Sequence, residues 1–267
     1  MKKPLSLASA LILITATAAS LTGLFKSNLY NDNSFVRAAW LANDWVTLVI
    51  VIPGLVMTMF FSKKHGIKAA LVWLGLLSYF FYSYAFYLFG AVFNTMFLLY
   101  VLICFLSIFS MSGFFLILPI SKITFGAKTT KWTTFFLLLL SVLLCLIEIP
   151  PCIQFISTGK IPELNLKTGH PTNIVYALDL TFIVPCMIIA SVLNLKKNVW
   201  GGVISVMMLV KAATYGLVLI SGSIILIQKG TADPLLPVWI FISTGGITGL
   251  YFMLKNSEIH LPGKLSA

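Results

Sequence analysis

One lysine in this chain occupies a position where a charge is costly. Lys211 lies in the middle of an uninterrupted apolar run, 11 residues past Trp200. At 1.5 Å per residue of α-helix this is roughly 16 Å, which would place Lys211 near the centre of a bilayer. A lysine at that depth needs an anion, a hydrated cavity or the loss of its proton. Asp179, in the preceding apolar run, is the predicted partner, either in a functional pair or in a buried ion pair that only fixes helix registry.

Other polar side chains lie towards the same side of the predicted membrane as Asp179. Asp44 opens the second apolar run and Glu148 closes the fifth, so each is expected near the interface, facing either headgroups or a cavity. The tyrosines of the third run predict either an interfacial aromatic belt or a hydroxyl-lined cavity. The candidate polar cavity comprises Lys211, Asp179, Asp44, Glu148, Tyr82, Tyr79, Ser83 and Tyr215.

Motifs for metal, cofactor or nucleophilic chemistry are absent from the sequence. The three histidines are scattered, and the four cysteines form no Cys-x-x-Cys pair. The sequence also contains no Gly-x-Ser-x-Gly, no His-Glu-x-x-His and no phosphate-binding loop. We therefore expect no metal and no cofactor, and an enzyme is disfavoured.

The elements that must position these side chains are transmembrane helices. Hydrophobic residues make up 59% of the 267 residues, charged residues make up 9%, and the mean hydropathy is +1.01. Runs of about 20 apolar residues match a bilayer core, and they lack the alternation of a barrel strand. The sequence predicts an all-α integral membrane protein, a single transmembrane bundle without a soluble domain. Its eight spans are predicted at 5–24, 40–61, 68–89, 92–118, 133–150, 174–194, 200–226 and 237–254.

The formal net charge of +11 is mainly a topology signal. Twelve of the eighteen basic residues fall on one side of the predicted membrane, five fall on the other, and Lys211 lies within it. The positive-inside rule then places both termini in the cytoplasm. The first span is expected to be a retained anchor, with a cleaved signal peptide as the alternative. No basic soluble face exists for nucleic acid, so the predicted partners are the lipid bilayer and a small polar solute or proton.

Two hairpins of the sequence resemble each other. In the first, Lys64 precedes Tyr82 by 18 residues; in the second, Lys197 precedes Tyr215 by 18. Each hairpin also has an acid and a proline upstream, although the acid-to-proline spacing differs, at 9 and 6 residues. Either a parallel 4+4 duplication or coincidence accounts for this pattern, and parallel repeats are typical of transporters.

Three short stretches give the chain a wider resemblance. These are Asn43-Asp44-Trp45-Val46-Thr47, Tyr82-Ser83-Tyr84-Ala85-Phe86-Tyr87 and Ala177-Leu178-Asp179-Leu180. They resemble a loosely defined group of bacterial multi-pass inner-membrane proteins of unassigned function. The resemblance implies a bacterial cytoplasmic membrane and no substrate or site.

Three functions are compatible with these features. The first is a small-solute or ion-coupled transporter with an outward-facing polar cavity around Asp179 and Lys211. The second is a non-catalytic membrane partner or assembly subunit whose buried ion pair fixes the helix arrangement. The third is a membrane enzyme acting on a lipid or quinone, with Asp179 and Glu148 as acid–base groups. We expect the first.

Overall fold

The computed structural model describes residues 3–259 as a bundle of helices. Within that range, eight helices are long and apolar enough to span a membrane, the number that the sequence predicts. We number them in chain order as span 1 to span 8. They are Lys3–Phe25, Ser34–Ser62, Gly66–Gly90, Phe97–Ile117, Ala127–Thr158, Ile174–Leu195, Val199–Gln228 and Leu236–Lys255. A short helix, Glu163–Thr168, lies between spans 5 and 6.

Span 2 begins earlier than the apolar run that predicted it. Asn33 caps the helix, because its side chain accepts a hydrogen bond from the backbone N–H of Val36 at 3.0 Å. The helix therefore includes the amphipathic stretch that starts at Ser34. Asp44 lies ten residues inside it, about 15 Å from the helix start, which corrects the expectation that Asp44 opens the span.

Span 5 is also longer than predicted. Its helix continues through Pro150 and Pro151 to Thr158. A proline removes one backbone hydrogen bond and strains the turn before it, but a membrane helix tolerates this when its surroundings compensate. Glu148 consequently lies ten residues from the helix end, about 15 Å, rather than closing the helix.

Spans 2 and 6 each contain one π-helical turn in front of a proline. In span 2 the turn is Thr47–Val51 and Pro53 follows it; in span 6 the turn is Asp179–Ile183 and Pro185 follows it. A π-turn adds one residue to the helix and re-aims the side chains beside it. The first residue of the turn precedes the proline by six positions in both spans.

Spans 3 and 7 cross at the centre of the bundle. The approach is close, since a Cβ added to Gly75 would lie 2.4 Å from the Cβ of Val210. Around this crossing, span 2 packs on span 7 and span 6 on span 3. Span 1 packs on spans 2 and 4, and span 5 packs on spans 6 and 8; spans 3 and 4 also pair, as do spans 7 and 8. The contacts of spans 1 and 2, 1 and 4, and 3 and 4 thus have counterparts in those of spans 5 and 6, 5 and 8, and 7 and 8.

Small residues let span 8 approach span 7. An added Cβ on Gly246 would lie 2.5 Å from the backbone nitrogen of Ala213. One on Gly216 would lie 2.7 Å from the Cβ of Ser243, whose hydroxyl donates to the Ala213 carbonyl at 3.0 Å. These contacts are those of small-residue helix packing in membranes.

Two sets of connections define the ends of the bundle. At the end that we call the lysine-rich end, strand β1 (Ile123–Phe125) pairs antiparallel with strand β2 (Ser257–Ile259). There the Lys68 ammonium also donates to the Leu254 carbonyl at 2.7 Å. At the opposite end, the Asn33 amide donates to the carbonyls of Lys167 and Thr168, which ties the loop before span 2 to the short helix.

Candidate functional site

Lys211 is buried between the faces of two tyrosine rings. Its ammonium nitrogen lies 3.4 Å from the ring centroid of Tyr82 on span 3 and 3.3 Å from that of Tyr215 on its own span. The two rings meet edge to face, with centroids 4.8 Å apart. Lys211 is only 4% exposed, so the rings replace water around the charge. A desolvated cation–π contact of this kind contributes about 2 kcal/mol.

Asp179 does not form the predicted direct ion pair with Lys211. Among the described residues, the one ion pair within 4.0 Å is the surface pair Lys167–Glu163. Instead, the Tyr82 hydroxyl donates to Asp179 Oδ1 at 2.7 Å. Tyr82 therefore stands between the charges, with its ring face on the ammonium and its hydroxyl on the carboxylate.

Glu148 brings a second carboxyl group to Asp179. Span 5 contacts the π-turn Asp179–Ile183 of span 6, which brings the two carboxyl groups to the same interface. Glu148 is 2% exposed, and its Oε2 atom has no hydrogen-bond partner among the described residues. The location of Glu148 corrects its interpretation as an interfacial group facing headgroups. One lysine and two carboxyl groups thus share the region that we call the Lys211 cluster (Lys211, Tyr82, Tyr215, Asp179 and Glu148).

Tyr79 lies one turn from Tyr82 on span 3 and belongs to a neutral set of contacts. Its hydroxyl is 2.8 Å from the Thr47 hydroxyl and donates to the Asn43 side-chain oxygen at 2.8 Å. Ser83 is fully buried, and its hydroxyl has no hydrogen-bond partner in the described chain. Tyr79 and Ser83 therefore line the bundle interior.

Asp44 lies in a second polar region, separate from Lys211. The Tyr30 hydroxyl donates to its Oδ2 atom at 2.6 Å and the Tyr87 hydroxyl to its Oδ1 atom at 3.0 Å. Span 1 approaches this carboxyl at Gly23, where an added Cβ would overlap Asp44 Oδ2 at 2.0 Å. Asp44 is 2% exposed, which corrects the interfacial interpretation here too. We call Asp44, Tyr30 and Tyr87 the Asp44 cluster.

Aromatic rings enclose the Asp44 cluster. The Tyr87 ring packs against Trp40 at 4.6 Å and against Tyr100 at 5.1 Å between centroids. Tyr84 also packs against Tyr87, at 5.5 Å. These rings are buried inside the bundle rather than arranged as a belt on the lipid-facing surface. Sequence reasoning missed Tyr30, because it lies outside the apolar runs, and it did not separate Tyr87 from the other tyrosines of span 3.

The two best-defined cavities of the structure lie away from both clusters. One, of about 320 Å³, lies beside Gly66 and Pro119, and the other, of about 460 Å³, lies between Lys128 and Lys255. Both are at the lysine-rich end. Lys211, Tyr82 and Glu148 are buried, whereas Asp179 and Tyr215 are half-buried.

Burial also changes two titratable groups outside the spans. Burial, and secondarily the nearby Asp44 carboxylate, raises the pKa of the Tyr30 phenol, so this hydroxyl stays protonated. Partial burial lowers the pKa of His170, against the opposing influence of Asp32 and the Gly90 carbonyl. At the opposite end of the bundle, His170 is thus biased towards its neutral form.

Eight apolar helices around a polar interior define a multi-pass helical membrane protein. No family model matches the chain, and no curated protein and no solved structure matches it either. The argument for function therefore rests on the two clusters, and the resemblance to bacterial inner-membrane proteins stays a prediction.

Proposed function

We propose that the protein is a proton-coupled transporter of a small polar solute. The observation that carries the proposal is the arrangement of the Lys211 cluster. A lysine at mid-span is held by ring faces, Asp179 lies one tyrosine hydroxyl away, and Glu148 lies at the same interface as Asp179. Ionisable groups inside a membrane bundle are expensive and typically mark ion or substrate pathways.

The contact geometry favours a mobile charge over a fixed one. A buried pair that only sets helix registry is expected to bring the ammonium onto the carboxylate, because leaving either charge unpaired costs several kcal/mol. Lys211 instead has two alternative partners within reach of its flexible stem, the rings that it contacts and the carboxylate beyond Tyr82. A charge with two positions can respond to protonation.

The carboxyl pair supplies the protonation step. Two adjacent carboxyl groups cannot both ionise easily, so one proton shared between Asp179 and Glu148 leaves a net charge of −1, which balances Lys211. Loss of that proton gives the pair a charge of −2, which draws the ammonium off the rings of Tyr82 and Tyr215. The crossing of spans 3 and 7 would then be released, and the two halves could rock against each other.

The helix arrangement supports a parallel 4+4 repeat, in which this site would lie between the two halves. The six-residue spacing from π-turn to proline aligns Asp179 with Thr47 and not with Asp44, so the two acids of the predicted repeat do not correspond. The paired contacts of spans 1–4 and 5–8 fit the same relation. Transporters built from repeats bind their substrates near the midplane at the repeat interface.

Cysteine accessibility tests whether water reaches this site. In a background without the four native cysteines, Ser83→Cys places a thiol beside the Lys211 cluster with little change in volume. A membrane-impermeant thiosulfonate should modify it from the outer side, since a transporter must open its site to water during the cycle. Ser107→Cys is the matched control, because Ser107 on span 4 is equally buried with an unpartnered hydroxyl.

The modification rates of the two cysteines distinguish a transporter from a bundle whose interior stays closed to water. We expect modification at position 83 to be at least about tenfold faster than at position 107, which corresponds to roughly 1.4 kcal/mol of opening free energy. No modification at position 83 from either side of the membrane would refute the transporter proposal. Equal rates at the two positions would indicate unspecific opening and would refute it as well.

A further inference from the structure

Asp44 differs from the acids of the Lys211 cluster because, among the described residues, no basic side chain faces it. Arg37, on the same helix, is exposed, and Lys211 is directed at Tyr82 and Tyr215. The titratable groups around Asp44 are Tyr30 and Asp32 in the loop before span 2, Tyr79, Tyr84 and Tyr87 on span 3, and Tyr100 on span 4. Span 1 contributes only Ser20 and Gly23. None of these groups supplies a positive charge.

An ionised Asp44 would be a poorly compensated anion. Burying a carboxylate without a counterion carries a desolvation penalty, and hydrogen bonds to the charge offset it only in part. The two hydroxyl donors, Tyr30 and Tyr87, recover only part of the penalty and leave the charge without a counterion. The neutral acid avoids this cost, provided that its own O–H finds an acceptor.

Tyr87 provides that acceptor. Its hydroxyl oxygen lies 3.0 Å from Asp44 Oδ1 and also 3.0 Å from the Trp40 carbonyl oxygen. A tyrosine hydroxyl has one hydrogen and can also accept. When that hydrogen points to the Trp40 carbonyl, the Tyr87 oxygen accepts from a protonated Asp44, and Tyr30 still donates to the other carboxyl oxygen. When the proton leaves Asp44, the Tyr87 hydroxyl can rotate and donate to the carboxylate.

We infer that Asp44 is a second proton-binding site, separate from the Lys211 cluster, and that it carries its proton in this conformation. Tyr87 is the positioning residue that satisfies both protonation states by rotating one hydroxyl. As a site, Asp44 is independent of the proposed transport function; its use as a coupling site rests on that proposal. The ligand is a proton, bound where Ser20, Tyr30, Tyr84, Tyr87, Tyr100 and the Trp40 carbonyl provide hydroxyls, rings and an oxygen but no cation.

Infrared difference spectroscopy tests the inference on the full chain in proteoliposomes. At neutral pH the wild type should show an Asp44 component in the carbonyl stretch of protonated carboxyl groups, separate from that of the proton shared by Asp179 and Glu148, and Asp44→Asn should lose this component. It should persist in Asp179→Asn and in Asp233→Asn, the control for a carboxyl near the bundle end. Tyr87→Phe should shift the band rather than remove it, because the acid remains but its acceptor is gone.

Two results would show that Asp44 does not carry a proton. If the wild-type and Asp44→Asn spectra show the same protonated-carboxyl band, Asp44 is ionised and the inference is overturned. A thermal stability that rises with sodium concentration in the wild type but not in Asp44→Asn would overturn it too, by assigning a metal cation to the site. If Asp44→Asn fails to fold, the test is the position of the carbonyl band in Tyr87→Phe. A band at the wild-type position would then overturn the inference. None of these outcomes depends on thiol access at Ser83, so the transport proposal can fail separately.

Discussion

Replacing the ring beneath Lys211 should reveal how much of the site depends on the cation–π contact. The double-mutant cycle compares the wild type with Tyr215→Leu, with Lys211→Met and with the variant that carries both changes. The ammonium lies 3.3 Å from the Tyr215 centroid and is 4% exposed, so the contact is desolvated. Such a contact is worth about 2 kcal/mol. Tyr215 is a cleaner choice than Tyr82, because Tyr82 also donates a hydrogen bond to Asp179.

The informative quantity is the coupling energy and not the effect of either single change. Lys211→Met loses the contacts of the ammonium but also removes the cost of burying it, so its net effect on the free energy of unfolding is not a measure of the contact. The double-mutant cycle cancels that cost. We expect a coupling of about 2 kcal/mol, equivalent to roughly 30-fold in the unfolding equilibrium constant.

Reversible chemical unfolding in detergent micelles measures the four variants of the cycle. Tyr251→Leu with Lys211→Met is the control pair, since Tyr251 lies on span 8 near Lys255, and its effect should add to that of Lys211→Met. A coupling between Lys211 and Tyr215 below about 0.5 kcal/mol, the usual error of additivity, would mean that the lysine is uncharged or has moved elsewhere. Either case would refute the account of the Lys211 cluster given above.

Two further predictions concern packing and pH. Gly246→Ala should lower the free energy of unfolding by about 1–3 kcal/mol, because the new Cβ meets the span 7 backbone at 2.5 Å. Gly222→Ala, whose nearest neighbour would be 3.7 Å away, should be neutral or stabilising, and thermal unfolding of both variants in one detergent checks the contrast. Since the pKa of His170 is lower in the folded protein than the ordinary value of about 6.5, the unfolded state binds more protons in mildly acidic solution. The thermal midpoint of the wild type should therefore fall as the pH drops below about 6.5, and that of His170→Gln should fall less. Identical pH profiles of the two proteins would contradict this prediction.

The sequence alone determined that the chain forms apolar helices and that Lys211 lies deep within one of them. Both results follow from local properties. The length of an apolar run fixes whether a helix can cross a bilayer, and the distance of a residue from the end of that run fixes its depth. The same reasoning was less accurate for Asp44 and Glu148, because a cap at Asn33 and a proline-tolerant helix moved the ends of spans 2 and 5 outwards.

Only the tertiary structure decided what surrounds each buried charge. Sequence neighbours suggested Asp179 for Lys211, but the crossing of spans 3 and 7 at Gly75 and Val210 turns the Tyr82 ring onto the ammonium first. The position of Tyr30 against Asp44 was equally hidden, because it depends on a loop folding back over the bundle. Which helix faces meet is set by the packing of small and large side chains across distant segments. That information is spread over the whole chain, and no single run of residues contains it.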